Sequence, residues 1–443
     1  MSAVVRTVLV TGPGGSGRTT AAAATALTAA REGRRTLFLT ADRTGAPEVV
    51  LGVALPSRPA GPPRDPGPAS AGAGAAEAPW TPPVRVERNL RAARADSGER
   101  LRDAFLGLQQ RASSGLDLLG AAPLDREELT PFPGAAELAL LRTLSALYTL
   151  PAASAAATGS GSGSETVTGP DGDWDLVVLD LPPAQEALAL LALPEQLLRY
   201  LDRLLPPERQ AARALRPLLA QLAGVPMPAR WLYETADRAR SELAAAQAVV
   251  GAESTTLRLV AEPGPAGRAA LRRIRPAVAL YGHRVDAVLA GRTLPTGSAD
   301  PWLGAASGEQ QAALKALREE WSGTAPLYEL PHLGRAPRGT ADLAALGAPP
   351  VAAPAGSRPG PAVADRREAD GTLVWHIPLP AAERGEVDLI RRGDELVVAV
   401  GPFRRILPLP SALRRCTVSG AALADGELRV RFTPDPALWP RTS

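Results

Sequence analysis

The stretch Thr7-Val8-Leu9-Val10-Thr11 runs directly into Gly12-Pro13-Gly14-Gly15-Ser16-Gly17-Arg18-Thr19-Thr20, and an alanine-rich run continues to Ala30 before Gly33 stops it. A short apolar strand, a glycine-rich turn and a helix thus follow one another without a spacer. Thr36 to Thr40 reads as a second strand, ending at Asp42. Strand, turn, helix and strand in this order make a βαβ unit with parallel strands. Leu176 to Leu179 is a third strand, unbroken Leu-Val-Val-Leu ahead of Asp180, and Thr256 to Ala261 and Val285 to Leu289 are further ones. Continuous apolar strands suit a parallel sheet covered on both faces. The expected fold is therefore α/β, a mostly parallel sheet flanked by helices.

The same turn predicts chemistry. Glycines at 12, 14, 15 and 17 let successive N–H groups turn inward, and with the helix N-terminus behind them they form an anion cradle. The pattern fits G-x-x-x-x-G-K-[ST] except at the lysine, where Arg18 stands. An ordinary glycine-rich turn is the alternative, and the register between strand and helix favours phosphate. The cradle residues are Gly12, Gly14, Gly15, Ser16, Gly17, Arg18, Thr19 and Thr20, with the Thr19 hydroxyl placed for Mg²⁺. Asp42 and Asp180 end strands, where α/β proteins place ligand groups. Asp180 joins Thr19 as a candidate metal residue; Asp42 serves equally well as a helix cap.

Composition sets bounds. Across 443 residues, 45% hydrophobic and 21% charged content is that of a globular protein of two or three domains. A net charge of +3 gives no polyanion-binding surface, so nucleic acid is not an expected partner. The single cysteine, Cys416, excludes an internal disulfide or a cysteine-cluster metal site, and His283, His332 and His376 are far apart. No run approaches the ~18 apolar residues of a membrane span; Ala187 to Leu198 comes nearest and is cut by Pro194 and Glu195. The N-terminal apolar run is too short for a signal peptide, and a cytoplasmic location is expected.

Helical patterns fall at Glu99–Leu119, Ala135–Leu147, Glu186–Leu205, Glu208–Leu222, Arg230–Val250 and Gln310–Trp321. Pro56–Pro83 and Ala152–Gly172 are Pro/Gly/Ala- and Gly/Ser-rich and read as flexible surface insertions. Pro349–Ala369 is similar. Beyond it Leu373–Leu379, Val387–Arg391, Glu395–Val400, Phe403–Leu409 and Glu427–Phe432 alternate apolar and polar, as in a small antiparallel β-sandwich. The expected organisation is an α/β domain over 1–348, a linker over 349–369 and a β domain over 370–434.

These features together resemble the ArsA family, which contains the arsenite-pump ATPase and the ATPase that targets tail-anchored membrane proteins. Four collinear segments carry the resemblance. They are the Gly12–Thr20 loop; Thr40-Ala41-Asp42 running to Val50-Leu51-Gly52, like the family's first switch; Asp175 to Glu195, like its second; and Phe132-Pro133-Gly134-Ala135-Ala136-Glu137-Leu138, like its P-G-x-x-E-L helix start. Gly393-Asp394-Glu395-Leu396 and Pro408 to Leu413 resemble the small-heat-shock-protein-like domain that ends some bacterial members. The resemblance implies a P-loop NTPase fold, ATP and Mg²⁺ as ligands, and a dimer or a pairing with another ArsA-like subunit. It also implies an apolar protein client on the leucine-rich helices from Glu186 to Leu222, although such stripes are more often core.

The departures from the family bear on activity. Arg18 replaces the Walker lysine, Pro13 stands where the family's signature lysine falls, and Lys315 is the only lysine in the chain. The water-positioning acid of the first switch falls at Val49, leaving Asp42 and Glu48 as the acid candidates. The glycine and histidine of the second switch are Gln185 and Glu186, and the adenine-reading Asn is Gly291 in Gly291-Arg292-Thr293-Leu294-Pro295. The paired cysteines that bind zinc or arsenite in relatives are absent. An ATP-binding protein with degraded catalytic motifs and weak or no hydrolysis is the leading expectation. Two alternatives stand beside it: an active ATPase in membrane-protein targeting or ion transport, and a non-enzymatic protein-binding or chaperone-like scaffold.

Overall fold

Strands β1 (Arg6–Thr11), β2 (Thr36–Thr40), β3 (Val84–Glu87), β4 (Leu90–Arg94), β5 (Leu176–Asp180), β6 (Thr255–Ala261), β7 (Val285–Thr293) and β8 (Leu327–Pro331) form one sheet in the order β3-β4-β2-β5-β1-β6-β7-β8. The computed structural model describes residues 5–56, 78–95, 134–149, 174–204, 230–353 and 360–436, with a few positions between 102 and 130. Every neighbouring pair in the sheet is parallel except β3 with β4. β1 lies between β5 and β6, pairing Leu9 with Leu179 on one side and with Leu257 on the other. The C-terminal ends of β1, β2, β5, β6 and β7 therefore open along one edge, where an α/β sheet presents its ligands.

Alternation along β1 divides the core in two. Leu9 packs with Leu179, Leu188, Leu191 and Leu257 on one face, under α3 (Ala135–Thr149), α4 (Ala184–Leu204), α5 (Arg230–Gly251) and α6 (Pro265–Leu280). Val8 and Val10 face the other way, against Phe38, Val178 and the alanines of a helix over Arg18–Arg31. Their small side chains let that helix press close to the sheet, burying Ala21 to Ala24, Ala26 and Ala29 almost completely. Short helices over Ala46–Leu51 and Gly339–Ala345 pack on this face, and the helix over Pro301–Trp321 packs on β7 and β8. Among the described residues no helix is long and apolar enough to cross a membrane.

The C-terminal part is all antiparallel. β9 (Ala362–Arg366), β10 (Thr372–Pro378), β14 (Cys416–Ala424) and β15 (Glu427–Pro434) make a sheet in the order β14-β15-β10-β9, and β11 (Val387–Arg392), β12 (Glu395–Val400) and β13 (Phe403–Pro408) make a second. Trp375, Ile377, Val398, Phe403, Val430 and Phe432 are all buried in its core. The expected α/β sheet and β-sandwich are both present.

Several boundaries differ from the sequence expectation. Ala362–Arg366, within the stretch expected as linker, is a strand, because its backbone ladders onto β10 from Arg366↔Thr372 to Ala362↔His376. Ala78–Pro83 of the first insertion is folded: Trp80 is buried and the Thr81 N–H donates to Arg94 O at 2.9 Å. The helix expected from Gln310 begins at Pro301, capped by Asp300, whose Oδ1 accepts from Leu303 N at 2.8 Å. The β3–β4 hairpin, β8 and β14 have no counterpart in the sequence expectation. The Arg-rich stretch Arg268–Arg275, whose sequence reads as a solvated helix face rather than a binding patch, lies in α6, where Arg268 pairs with Glu320 and Arg275 lies 5.2 Å from the Trp321 ring. The expected helix Glu208–Leu222, nearly all of Glu99–Leu119 and the Ala152–Gly172 insertion fall outside the described residues.

Candidate functional site

Where β1 ends, the chain turns through Gly12–Gly17 into the helix that starts at Arg18, here α1 (Arg18–Arg31). Gly15 and Gly17 have φ of 76° and 83°, the left-handed region where a side chain strains the backbone. Gly12 is required for another reason: a Cβ there would lie 1.9 Å from Val260 O of β6. Gly17 caps α1 with no side-chain hydrogen bond, so the first amides of the helix keep their donors for an incoming anion.

The carboxylate of Asp180, at the end of β5, lies beside this cradle and is 4% exposed. Its Oδ2 accepts from the Thr19 hydroxyl at 2.8 Å and from the Thr40 hydroxyl at 3.0 Å. Its Oδ1 is buried with no hydrogen-bond partner among the described residues, as is Ser16 Oγ. Burial pushes the Asp180 carboxyl up to about 6, with Asp42 adding to the rise and the two hydroxyls and the Arg18 charge opposing it. A buried acceptor with an idle lone pair beside a threonine hydroxyl is a hard-oxygen pair that suits Mg²⁺. Among the described residues no cluster of three or more His, Cys, Asp or Glu can hold a metal, so a cation here would depend on Thr19, Asp180, phosphate oxygens and water.

The Arg18 Nη1 donates to the Leu181 carbonyl, just beyond Asp180. The first-switch acids are engaged as well. Asp42 Oδ1 accepts from Thr44 N at 2.7 Å, bracing the turn into α2 (Ala46–Leu51). Arg94, at the end of β4 and 7% exposed, donates to the Asp42 carbonyl and to Glu48 Oε1. Val49, next to Glu48, is 53% exposed and lines the cavity.

That cavity, about 950 Å³, opens from Ser16, Gly17 and Thr20 along Val49 and Val50 to Leu294 and Leu330. Gly291 and Arg292, at the end of β7, form part of its wall, with Arg292 at φ 58°. Gln310 holds this corner: its Oε1 accepts from Leu294 N at 2.7 Å and its Nε2 donates to Arg292 O at 3.0 Å. The structure thus gathers Gly12 to Thr20, Asp180 and Asp42 at one edge of the sheet, with Glu48 tied to the loop by Arg94. Sequence reasoning missed Thr40, Arg94 and Gln310. Only Thr40, two residues before Asp42 in the first-switch resemblance, carried a signal.

Comparison with known proteins gives a consistent result. A family profile described as Anion-transporting ATPase matches residues 5–46 and 77–348, and one described as an HSP20-like domain found in ArsA matches 370–432. An uncharacterized protein of Streptomyces coelicolor is 54% identical, over 99% of this chain and 100% of its own length. A Mycobacterium tuberculosis protein is 29% identical over 99% and 98%. A Chlorobaculum tepidum protein that carries the provisional name arsenical pump-driving ATPase is 24% identical over 97% and 96%.

Proposed function

The chain belongs to the ArsA ATPase family, and from that premise we propose that it binds a nucleoside triphosphate, ATP by family resemblance, with Mg²⁺ between Gly12 and Thr20, and hydrolyses it very slowly. The phosphates would lie on the loop amides and the α1 N-terminus. Thr19 would offer its hydroxyl to the cation while Asp180 holds that hydroxyl in place. When bound, Mg²⁺ neutralises charge on the phosphate oxygens. The nucleoside would extend into the cavity toward Gly291 and Leu294.

One observation carries the reading of slow turnover. The only cation on the loop, Arg18, is a broad planar fork engaged with the Leu181 carbonyl, where phosphoryl transfer needs a compact charge between the outer phosphates. The water-positioning acid is also missing, since Val49 has no polar atom and the neighbouring Glu48 is bound by Arg94. Loss of one such electrostatic contact costs about two to three orders of magnitude in rate. A phosphate-release assay is expected to show less than about one turnover per minute, against the roughly 1–100 per second typical of kinases. Steady turnover above that figure overturns slow hydrolysis, and calorimetry that detects no heat with Mg-ATP overturns nucleotide binding. Pairing with a second ArsA-like subunit belongs to the same proposal, and size-exclusion chromatography with and without Mg-ATP tests its homodimeric form.

A further inference from the structure

The β domain grips the helix that leaves the phosphate site. At the head of that helix, Leu181 N donates to Val10 O and Ala184 N to Gly12 O, both at 2.9 Å, so the start of α4 is bonded to β1 and the cradle. Its far half is held from the other side. Glu395, the first residue of β12, accepts at one oxygen from Arg199 and from Arg203, the latter at 3.0 Å. Arg405 of β13 pairs with Glu195 at 3.3 Å and donates to Leu280 O, the end of α6, at 2.6 Å. The Tyr281 hydroxyl donates to Arg404 O at 3.3 Å, and its ring meets Phe403 edge-on with centroids 6.3 Å apart. Leu188 and Leu191 of α4, Leu271 and Ile274 of α6, and Leu396 and Phe403 of the β domain belong to one continuous core.

Between the two halves of α4 lies Pro194. It has no N–H to give the preceding turn, so the helix ladder lacks one hydrogen bond at this joint between its two halves. One side of the joint is fixed to the loop and the other to the β domain.

We propose that the β domain regulates the nucleotide site through α4, resting on the nucleotide reading above. The start of α4 is tied to the cradle itself by Ala184 N to Gly12 O, and the Arg18 guanidinium donates to Leu181 at the head of this segment, so a phosphate drawn onto the loop and onto Arg18 acts on backbone that α4 shares. Occupancy of the site and the position of α4 are then linked, and by reciprocity whatever holds α4 changes nucleotide affinity. Exposed ion pairs contribute little to stability one by one. Their weight here lies in which arrangement of α4 they favour.

The test uses the full chain. Calorimetry with Mg-ATP is run on the wild type, Glu395→Gln, Arg405→Gln and Arg31→Gln, the last breaking the Arg31–Glu87 pair away from α4. Folding is checked by circular dichroism. The expected result is an affinity change of about three-fold or more in Glu395→Gln and Arg405→Gln with none in Arg31→Gln. Amide exchange in peptides covering 195–204 and 395–405 is expected to change when Mg-ATP binds. Unchanged affinity in both interface variants, with unchanged exchange, overturns the coupling alone. A wild type that binds no nucleotide overturns the nucleotide reading and the coupling with it. If one variant fails to fold, the other variant and the wild-type exchange data decide.

Discussion

The Asp180 carboxylate takes the Thr19 hydroxyl at 2.8 Å while its second oxygen stays buried and unpartnered among the described residues. A charged group so placed costs stability until a cation joins it, and the cost depends on pH. Folding raises the carboxyl to about 6 from about 3.9 in an unfolded chain. The folded state therefore holds a proton that the unfolded state has lost between about pH 4 and 6. Stability from this group is full below that window, falls across it and stays low above. Asp180→Asn is expected to stabilise the ligand-free protein against urea by about 2 kcal/mol at a pH of about 7.5, with the gain vanishing near a pH of about 4. The same variant is expected to lose the Mg²⁺-dependent part of its nucleotide affinity.

Replacing Arg18 by Lys supplies a compact ammonium and frees the Leu181 carbonyl. Calorimetry is expected to show Mg-ATP binding about ten-fold tighter than in the wild type. Turnover is expected to stay low in Arg18→Lys and to rise by about 100-fold only when Val49→Asp is added. An equal rise in Arg18→Lys alone would show that the missing acid is not limiting.

Gln310 spans the corner of the cavity with two hydrogen bonds to backbone. Gln310→Ala leaves Leu294 N and Arg292 O without those partners, at a cost of about 2 kcal/mol in urea unfolding. Calorimetry is expected to show weaker nucleotide binding in Gln310→Ala and a smaller loss in Gln310→Glu, whose carboxylate still accepts from Leu294 N.

Arg258 is 1% exposed and pairs with Asp286 at 2.7 Å, while also donating to Thr25 Oγ1 and the carbonyls of Pro349 and Pro350. Asp286→Ala leaves a guanidinium buried without its counter-charge and is expected to destabilise the fold by about 3 kcal/mol or more. Neither residue lines the cavity, so the nucleotide dissociation constant of the folded fraction is expected not to change.

The parts of the fold that were legible in sequence are those whose signal is local. Val8 to Val10, Phe38 and Val177 to Leu179 are buried on both faces of a parallel sheet, so their strands read as unbroken apolar runs. Gly12 and Gly17 were legible because only glycine meets the steric and φ demands there. β9 was not, because Ala362–Arg366 is an exposed edge that owes its strand geometry to β10 rather than to its own side chains. β3 and β4 were hidden by Arg85, Arg91 and Arg94 in short strands beside a Pro/Gly-rich insertion. The start of the helix at Pro301 does carry a local signal, since Asp300-Pro301 is a cap followed by proline in the first turn, but the apolar periodicity is clear only from Gln310. Arg94 and Gln310 act on partners far away in the chain, and no local pattern marks such a contact.

The carbonyls of Pro349 and Pro350 are fastened to Arg258, and Val351 is fully buried, so the chain is anchored to the α/β sheet almost up to the point where it departs. From 353 to 360 the covalent path can reach no more than roughly 25 Å. A tether that short keeps the two faces at an effective concentration on the order of millimolar. Even a contact too feeble to assemble from separate molecules would thus remain largely closed, and small energetic inputs would suffice to tip its balance.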